Sequence, residues 1–288
     1  MSEEILINVT PRETRVGVVE NGMLQEVHVE RAGRRGFVGN IYCGRVQRVM
    51  PGMQAAFVEI GLARAAFLHA SDIVRAPPAL TAEEGEANGA TAVNGNAAPH
   101  TPPIGELVRE GQRIIVQVIK DPIGGKGARL SAQLSIPSRY LVLLPHTQLH
   151  GVSVRIEDEV ERTRLKELLA RLSDSDQSGY IARTNAEGEG EAALAEDIVY
   201  VRKVWQAVQE NIARAEPGAC VYEEPALPLR VLRDLMQDDI EKVRVDSRET
   251  WQRTLEFAQR FMPHLAERIE HYAGERPIFD LYGVEDEM

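Results

Sequence analysis

Gln54-Ala55-Ala56-Phe57-Val58-Glu59-Ile60-Gly61-Leu62-Ala63-Arg64-Ala65-Ala66-Phe67-Leu68-His69 reads as two short strands folded back about Leu62. Side chains alternate across a strand, so Ala56, Val58 and Ile60 share one face, as do Ala66 and Leu68 on the next strand. Phe57 (beside Glu59) and Phe67 (beside His69) then point to the other, polar side. With the hairpin centred on Leu62, residue 57 pairs with residue 67, and two rings lie together on a wet sheet face. Bases stack on such rings at roughly 1–3 kcal/mol each. Alternation alone leaves a second reading open, in which one or both rings pack under the insertion at 76–103 or a neighbouring domain.

Outward from this hairpin, strand-like runs at Ile41–Val49, Gln54–Ile60, Arg64–Leu68, Arg113–Lys120 and Ala128–Leu134 predict a five-stranded OB-type barrel. Residues 76–103 are rich in Ala, Gly, Asn, Pro and Glu and hold no aromatic residue. Such a segment cannot bury enough surface to offset its ordering entropy, so a disordered insertion is expected at about 76–105. Before the barrel, Ile5–Val9, Thr14–Val19 and Met23–Val29 form a meander, with Asn21-Gly22 as a type I′ hairpin signal. After it, strands are predicted at Tyr140–Leu144, Val152–Ile156 and Tyr180–Thr184, and helices at Val160–Leu172 and Glu191–Ala215, the latter broken by Pro217-Gly218. A helix at Leu229–Met236, a strand at Lys242–Val245, a helix at Glu249–Phe261 and a short helix before Gly274 follow. The class is α+β.

Net charge is −11, which by itself argues against a nucleic-acid binder. Its distribution argues the other way. Residues 31–65 carry six arginines against Glu59 alone, and residues 101–155 carry seven cations against three acids. A local basic surface on an acidic protein still attracts a polyanion. No apolar run approaches the roughly 18–20 residues of a membrane span, and the acidic Met1-Ser2-Glu3-Glu4 is wrong for a secretory signal. Cys43 and Cys220 lie far apart, against both a disulfide framework and a thiolate zinc site. A cytoplasmic protein is expected.

Gly44-Arg45-Val46, Phe57-Val58, Gly61, Phe67-Leu68-His69-Ala70-Ser71, Gly111 with Val116 and Val118, and Leu130-Ser131 together resemble an S1-type RNA-binding domain. The block from Asn40-Ile41-Tyr42 to Phe67-Leu68 is similar to that of the ribonuclease E/G family. The likeness continues through Gly125-Lys126-Gly127-Ala128, Tyr140-Leu141-Val142-Leu143 and Arg183-Thr184, and covers nearly the whole chain except the insertion. The short opening Ile5-Leu6-Ile7-Asn8 favours the G-type branch.

The resemblance implies RNA contacts at Phe57, Phe67 and Lys126, and a sensor for RNA 5′-monophosphate ends at Arg183, Thr184, Val142 and Ser138. A guanidinium beside a hydroxyl suits a phosphate monoester, and both side chains reach one ligand only where a strand ends. Two positions depart from the E-type pattern: a glycine is Ser138 here, and an arginine of some members falls at Val154, next to Arg155. The implied architecture is an RNase H-like subdomain (1–36 and 217–280) interrupted by the S1-type barrel (37–137) and an α/β 5′-sensor subdomain (138–216). Residues 281–288 would begin a truncated linker to a DNase I-like catalytic subdomain.

In such a family the catalytic aspartates and Mg2+ site, with a zinc-sharing cysteine pair as a further option, lie beyond residue 288. No catalytic residue, metal ligand or cofactor is therefore expected in this chain. Asn8 stands where an active RNase H would place an acid, and Asp238-Asp239, Asp246 and Asp280 read as helix ends and solvated surface. The chain is expected to bind single-stranded RNA without cutting it, as part of a homo-oligomeric endoribonuclease of rRNA maturation and mRNA decay. A non-catalytic RNA-binding regulator is the alternative, and a protein-docking scaffold a third reading.

Overall fold

The computed structural model describes residues 3–74, 102–173, 177–235 and 240–287. They form two units, one from Met1–Gly36 with Pro225–Met288 and one from Phe37–Glu224. The first unit opens with β1 (Glu3–Val9), β2 (Glu13–Glu20) and β3 (Met23–Arg31), an antiparallel meander. Asn21 and Gly22 both have positive φ (50° and 84°), as the type I′ turn requires.

The second unit starts with the barrel: β4 (Ile41–Met50), β5 (Ala55–Glu59), β6 (Ala66–His69), the short helices α1 (Ser71–Val74) and α2 (Ile104–Leu107), β7 (Arg113–Lys120) and β8 (Arg129–Ser131). Hydrogen bonds run β4-β5-β6-β8-β7 and close from β7 back to β4. Val46, Ala56, Val58, Ala66, Leu68, Val116, Val118 and Leu130 fill its interior. Most of the predicted insertion lies outside the described residues. Its expected end at 105 is corrected: Ile104 is fully buried in the barrel core, and its amide donates to Gln54 Oε1 at 3.0 Å. The last barrel strand is also shorter than predicted, because the Ser131 hydroxyl accepts from the Gln133 amide and turns the chain.

The same unit continues with β9 (Ile136–Pro137), β10 (Leu141–Leu144), β11 (His150–Val152), α3 (Glu159–Leu172), β12 (Gly179–Ala182), α4 (Glu191–Arg214) and β13 (Cys220–Tyr222). Four strands pair in the order β11-β12-β10-β9, and α3 and α4 pack on them. The strand predicted at Val152–Ile156 is β11, shifted toward the N-terminus. Ser153 still donates to Ala182, but Ile156 N then turns back to Ser153 O, which ends the ladder. β13 pairs with β4, so residues 220–222 belong with the barrel rather than with the 217–280 segment expected for the first sheet.

The chain then returns to the first unit through α5 (Leu227–Leu235), β14 (Ile240–Val245), α6 (Arg248–Phe261), β15 (Ile269–His271), α7 (Ile278–Leu281) and α8 (Val284–Glu287). The completed sheet has the order β3-β2-β1-β14-β15, with β14 parallel to both β1 and β15. The short helix predicted before Gly274 is a 3-10 helix over Pro263–Arg268 that leads into β15. β1 is apolar on both faces because both are covered. Ile5 and Ile7 pack with Val231, Leu232 and Ala258, while Leu6 packs with Ile278, Phe279 and Val284.

The burial of Val284 places part of the expected 281–288 linker within the first unit. Asp246 corrects its sequence reading too. It accepts from Asn8 Nδ2 at 2.6 Å and from the Val9 amide at 2.9 Å, while Asn8 Oδ1 takes two bonds from Arg15. Asp238-Asp239 lie outside the described residues, and Asp280 sits in α7. Among the described residues no helix is long and apolar enough to cross a membrane.

Candidate nucleic-acid interface

β5 and β6 pair so that Phe57 lies directly opposite Phe67. Their neighbours Ala56, Val58, Ala66 and Leu68 are fully buried, whereas both rings are half-buried on the outer face. The ring centroids are 6.1 Å apart at an interplanar angle of 71°, and His69 stacks on Phe67 at 6.4 Å. The outward alternation expected for both rings is present in the register.

The register carries the row further than sequence alternation does. A bulge between Val46 and Arg48 brings Arg48 opposite Phe57, while Arg129 pairs with Phe67 on the far side and Lys120 with Arg129. Directly paired residues share a face, so one transverse row reads Arg48, Phe57, Phe67, Arg129, Lys120. Arg129 is also held by Asp72 at 3.0 Å. Arg48 and Arg129 were missed from the sequence because neither their register nor the bulge is visible in alternation.

Lys126 is exposed in a tight turn closed by its own amide on Ile123 O at 3.0 Å. Gly127 follows against the backbone of β6: a Cβ there would lie 2.0 Å from Ala65 O. Ala128 O takes the Phe67 amide at 2.7 Å, and Arg64 Nη1 donates to Gly125 O. The lysine turn is therefore fastened to the strand that carries Phe67.

The second group of predicted residues sits at the ends of β10 and β12. Arg183 follows the last residue of β12, and exposed Thr184 begins a 3-10 turn over Thr184–Ala186. Arg183 Nη1 donates to Ser138 O and, at 3.4 Å, to Arg139 O. The Arg183 amide donates to Tyr140 O at 2.7 Å. Half-buried Val142 pairs with Ile181 and Pro137. Ser138 is fully buried, and its hydroxyl points inward to Asp197 Oδ2 at 2.5 Å and Leu141 O at 2.9 Å. Only its carbonyl faces the arginine, so the side chain is not a ligand for an external phosphate. Val154 and Arg155 are exposed in the turn after β11.

Two acids brace this region. Burial pushes the Asp197 carboxyl above its ordinary range, against hydrogen bonds from Ser138 and the Tyr140, Leu141 and Arg139 amides. Glu161 is the opposite case. The Arg164 guanidinium, with help from the Gly188 amide, lowers its carboxyl to about 2 and ties the loop after Thr184 to α3. Among the described residues no group of three or more His, Cys, Asp or Glu side chains converges to hold a metal ion.

A closed five-stranded barrel with paired aromatic rings and flanking cations on one wet face defines an OB-type module of the kind that holds single strands. Residues 35–132 match the S1 RNA binding domain, and residues 135–288 match the ribonuclease E/G family. The chain belongs to the ribonuclease E/G family. It is 51% identical to ribonuclease G of Escherichia coli over 288 residues, 47% identical to ribonuclease G of Haemophilus influenzae over 283, and 32% identical to ribonuclease E of Escherichia coli over 293. These alignments cover 100%, 98% and 99% of this chain and 56%, 55% and 26% of the relatives. The chain spans about half the length of the ribonuclease G relatives it matches.

Proposed function

We propose that this chain is the RNA-recognition portion of a G-type endoribonuclease. It grips single-stranded RNA on the barrel and reads the 5′ end at the close of β12. The observation that carries this reading is the half-buried Phe57–Phe67 pair on the outer face, in one row with Arg48 and Arg129. Bases stack on the rings while the guanidinium groups and Lys126 follow the phosphates. Arg183 and Thr184 bind a terminal 5′-monophosphate, with Val142 and the Ser138 turn forming the wall of that site.

The order β3-β2-β1-β14-β15 supports an RNase H-like reading of the first unit. The barrel (37–137) and the sensor (138–216) are then insertions into it. The whole protein is a cytoplasmic, homo-oligomeric, Mg2+-dependent hydrolase of rRNA maturation and mRNA decay. The residues described here do not fit the metal: in place of a carboxylate cluster, Asn8 and Asp246 bond to each other and to Arg15 or the backbone. This chain alone binds without cutting. Mg2+-dependent cleavage of a single-stranded oligonucleotide by the purified chain, abolished by an internal point substitution, overturns that.

The reading is tested with short RNAs that differ only in a 5′-monophosphate or 5′-hydroxyl, titrated by fluorescence across a salt series. The monophosphate binds more tightly, and Arg183→Ala removes the difference. A preference that survives the substitution eliminates Arg183 from the site.

A further inference from the structure

Asp197 is an acid on the apolar side of α4, among Leu194, Ile198 and Val201, and it is only 8% exposed. Its Oδ2 accepts from the Ser138 hydroxyl at 2.5 Å and the Tyr140 amide at 3.0 Å. The Arg139 and Leu141 amides also stabilise the carboxylate. The Ser138 hydroxyl and the amides of residues 139–141 thus converge on one buried carboxylate, while the Ser138 amide donates to Leu141 O.

The carbonyls of the same short segment serve Arg183. Ser138 O and Arg139 O accept from its guanidinium, and Tyr140 O accepts from its amide at 2.7 Å. A peptide unit is planar, so fixing its N–H fixes the direction of its C=O. We propose that Asp197 is a positioning residue of the phosphate site: it holds the Ser138–Leu141 turn from below and thereby aims the carbonyls that orient Arg183. The inference rests on the 5′-end reading of Arg183 given above. A carboxylate suits the task because it only accepts, and every group facing it donates. An amide in its place presents an N–H to one of those donors.

The test compares 5′-monophosphate and 5′-hydroxyl forms of one short RNA by fluorescence anisotropy, using the full chain. Wild type, Arg183→Ala, Asp197→Asn and the double variant are titrated at one salt concentration, with a thermal melt of each. Asp197→Asn is expected to lower the monophosphate preference by about fivefold or more while 5′-hydroxyl affinity stays within about twofold. It adds nothing to Arg183→Ala, because both act through the same guanidinium.

A folded Asp197→Asn that keeps the preference, while Arg183→Ala abolishes it, overturns the positioning role and leaves the 5′-end reading standing. A preference that Arg183→Ala does not change overturns both. Should Asp197→Asn fail to fold, Ser138→Ala is the second probe, since it removes one donor and leaves the carboxylate in place. It is expected to lower the preference by about threefold, and an unchanged preference in folded Ser138→Ala overturns the proposal.

Discussion

Truncating either barrel ring separates binding from folding, because the two rings lie outside the cluster that fills the barrel. Phe57→Ala and Phe67→Ala each remove one stacking surface, worth roughly 1–3 kcal/mol, or about 5- to 150-fold in affinity. The rings meet edge to face at 6.1 Å, a contact that holds each in place for the other. That coupling amounts to about 0.5–1.5 kcal/mol, so the double variant should lose less than the sum of the single losses. The half-buried rings should cost the fold about 1–2 kcal/mol apiece, and Val58→Ala, from a fully buried side chain, should cost about 2 kcal/mol and leave affinity unchanged. The assay is anisotropy with a 3′-labelled, 5′-hydroxyl RNA, which keeps the 5′-end site out of the measurement, paired with urea melts. Binding within about twofold of wild type by a folded Phe57→Ala or Phe67→Ala would refute the stacking argument.

Three further outcomes follow from the same geometry. Lys126→Ala should reduce the slope of log affinity against log salt by about 0.7, the increment for one phosphate contact on a single strand, and an unchanged slope removes Lys126 from the path. Gly127→Ala forces a Cβ to within 2.0 Å of Ala65 O, so the turn must shift. Stability should fall by about 1–3 kcal/mol in urea melts and RNA affinity with it, while a neutral substitution contradicts the close approach. Glu161 has its folded-state carboxyl depressed to about 2 from an ordinary 4.5, so its contribution is fully present above pH 4.5 and is lost as pH falls through about 2. Because solvent around Arg164 screens the pair, that contribution is about 1 kcal/mol. The gap in melting temperature between wild type and Glu161→Gln should close over this acid range, and a gap that persists would show that the pair does not stabilise the loop.

The barrel hairpin was legible because its signal is local: alternation fixes the faces, and a turn centred on Leu62 fixes the pairing. Asn21-Gly22 and the long helix ended by Pro217-Gly218 were legible for the same reason. What escaped depends on pairing between distant segments. β15 is a three-residue strand positioned by parallel pairing with β14, and β13 is placed by β4 some 180 residues earlier. Arg48 joins the ring row through a bulge, which shifts the faces of a strand without marking the sequence. Asp197 did leave a trace, an acid on the stripe formed by Leu194, Ile198 and Val201. Its partners at 138–141 are visible only once β10 and α4 are packed.

The sheet of the first unit closes late. β1 receives its parallel partner from residues 240–245, after the whole of Phe37–Glu224 has passed between them. Joining ends so far apart carries a large loop-closure entropy, while the intervening unit Phe37–Glu224 is contiguous in sequence. On a ribosome adding about 5–20 residues per second, the apolar β1 waits roughly 10–50 s for β14. During that interval its open edge is a place for a chaperone to hold or for another nascent chain to mispair. Slowing translation across residues 225–245 should therefore lower the soluble yield without altering any contact in the finished protein.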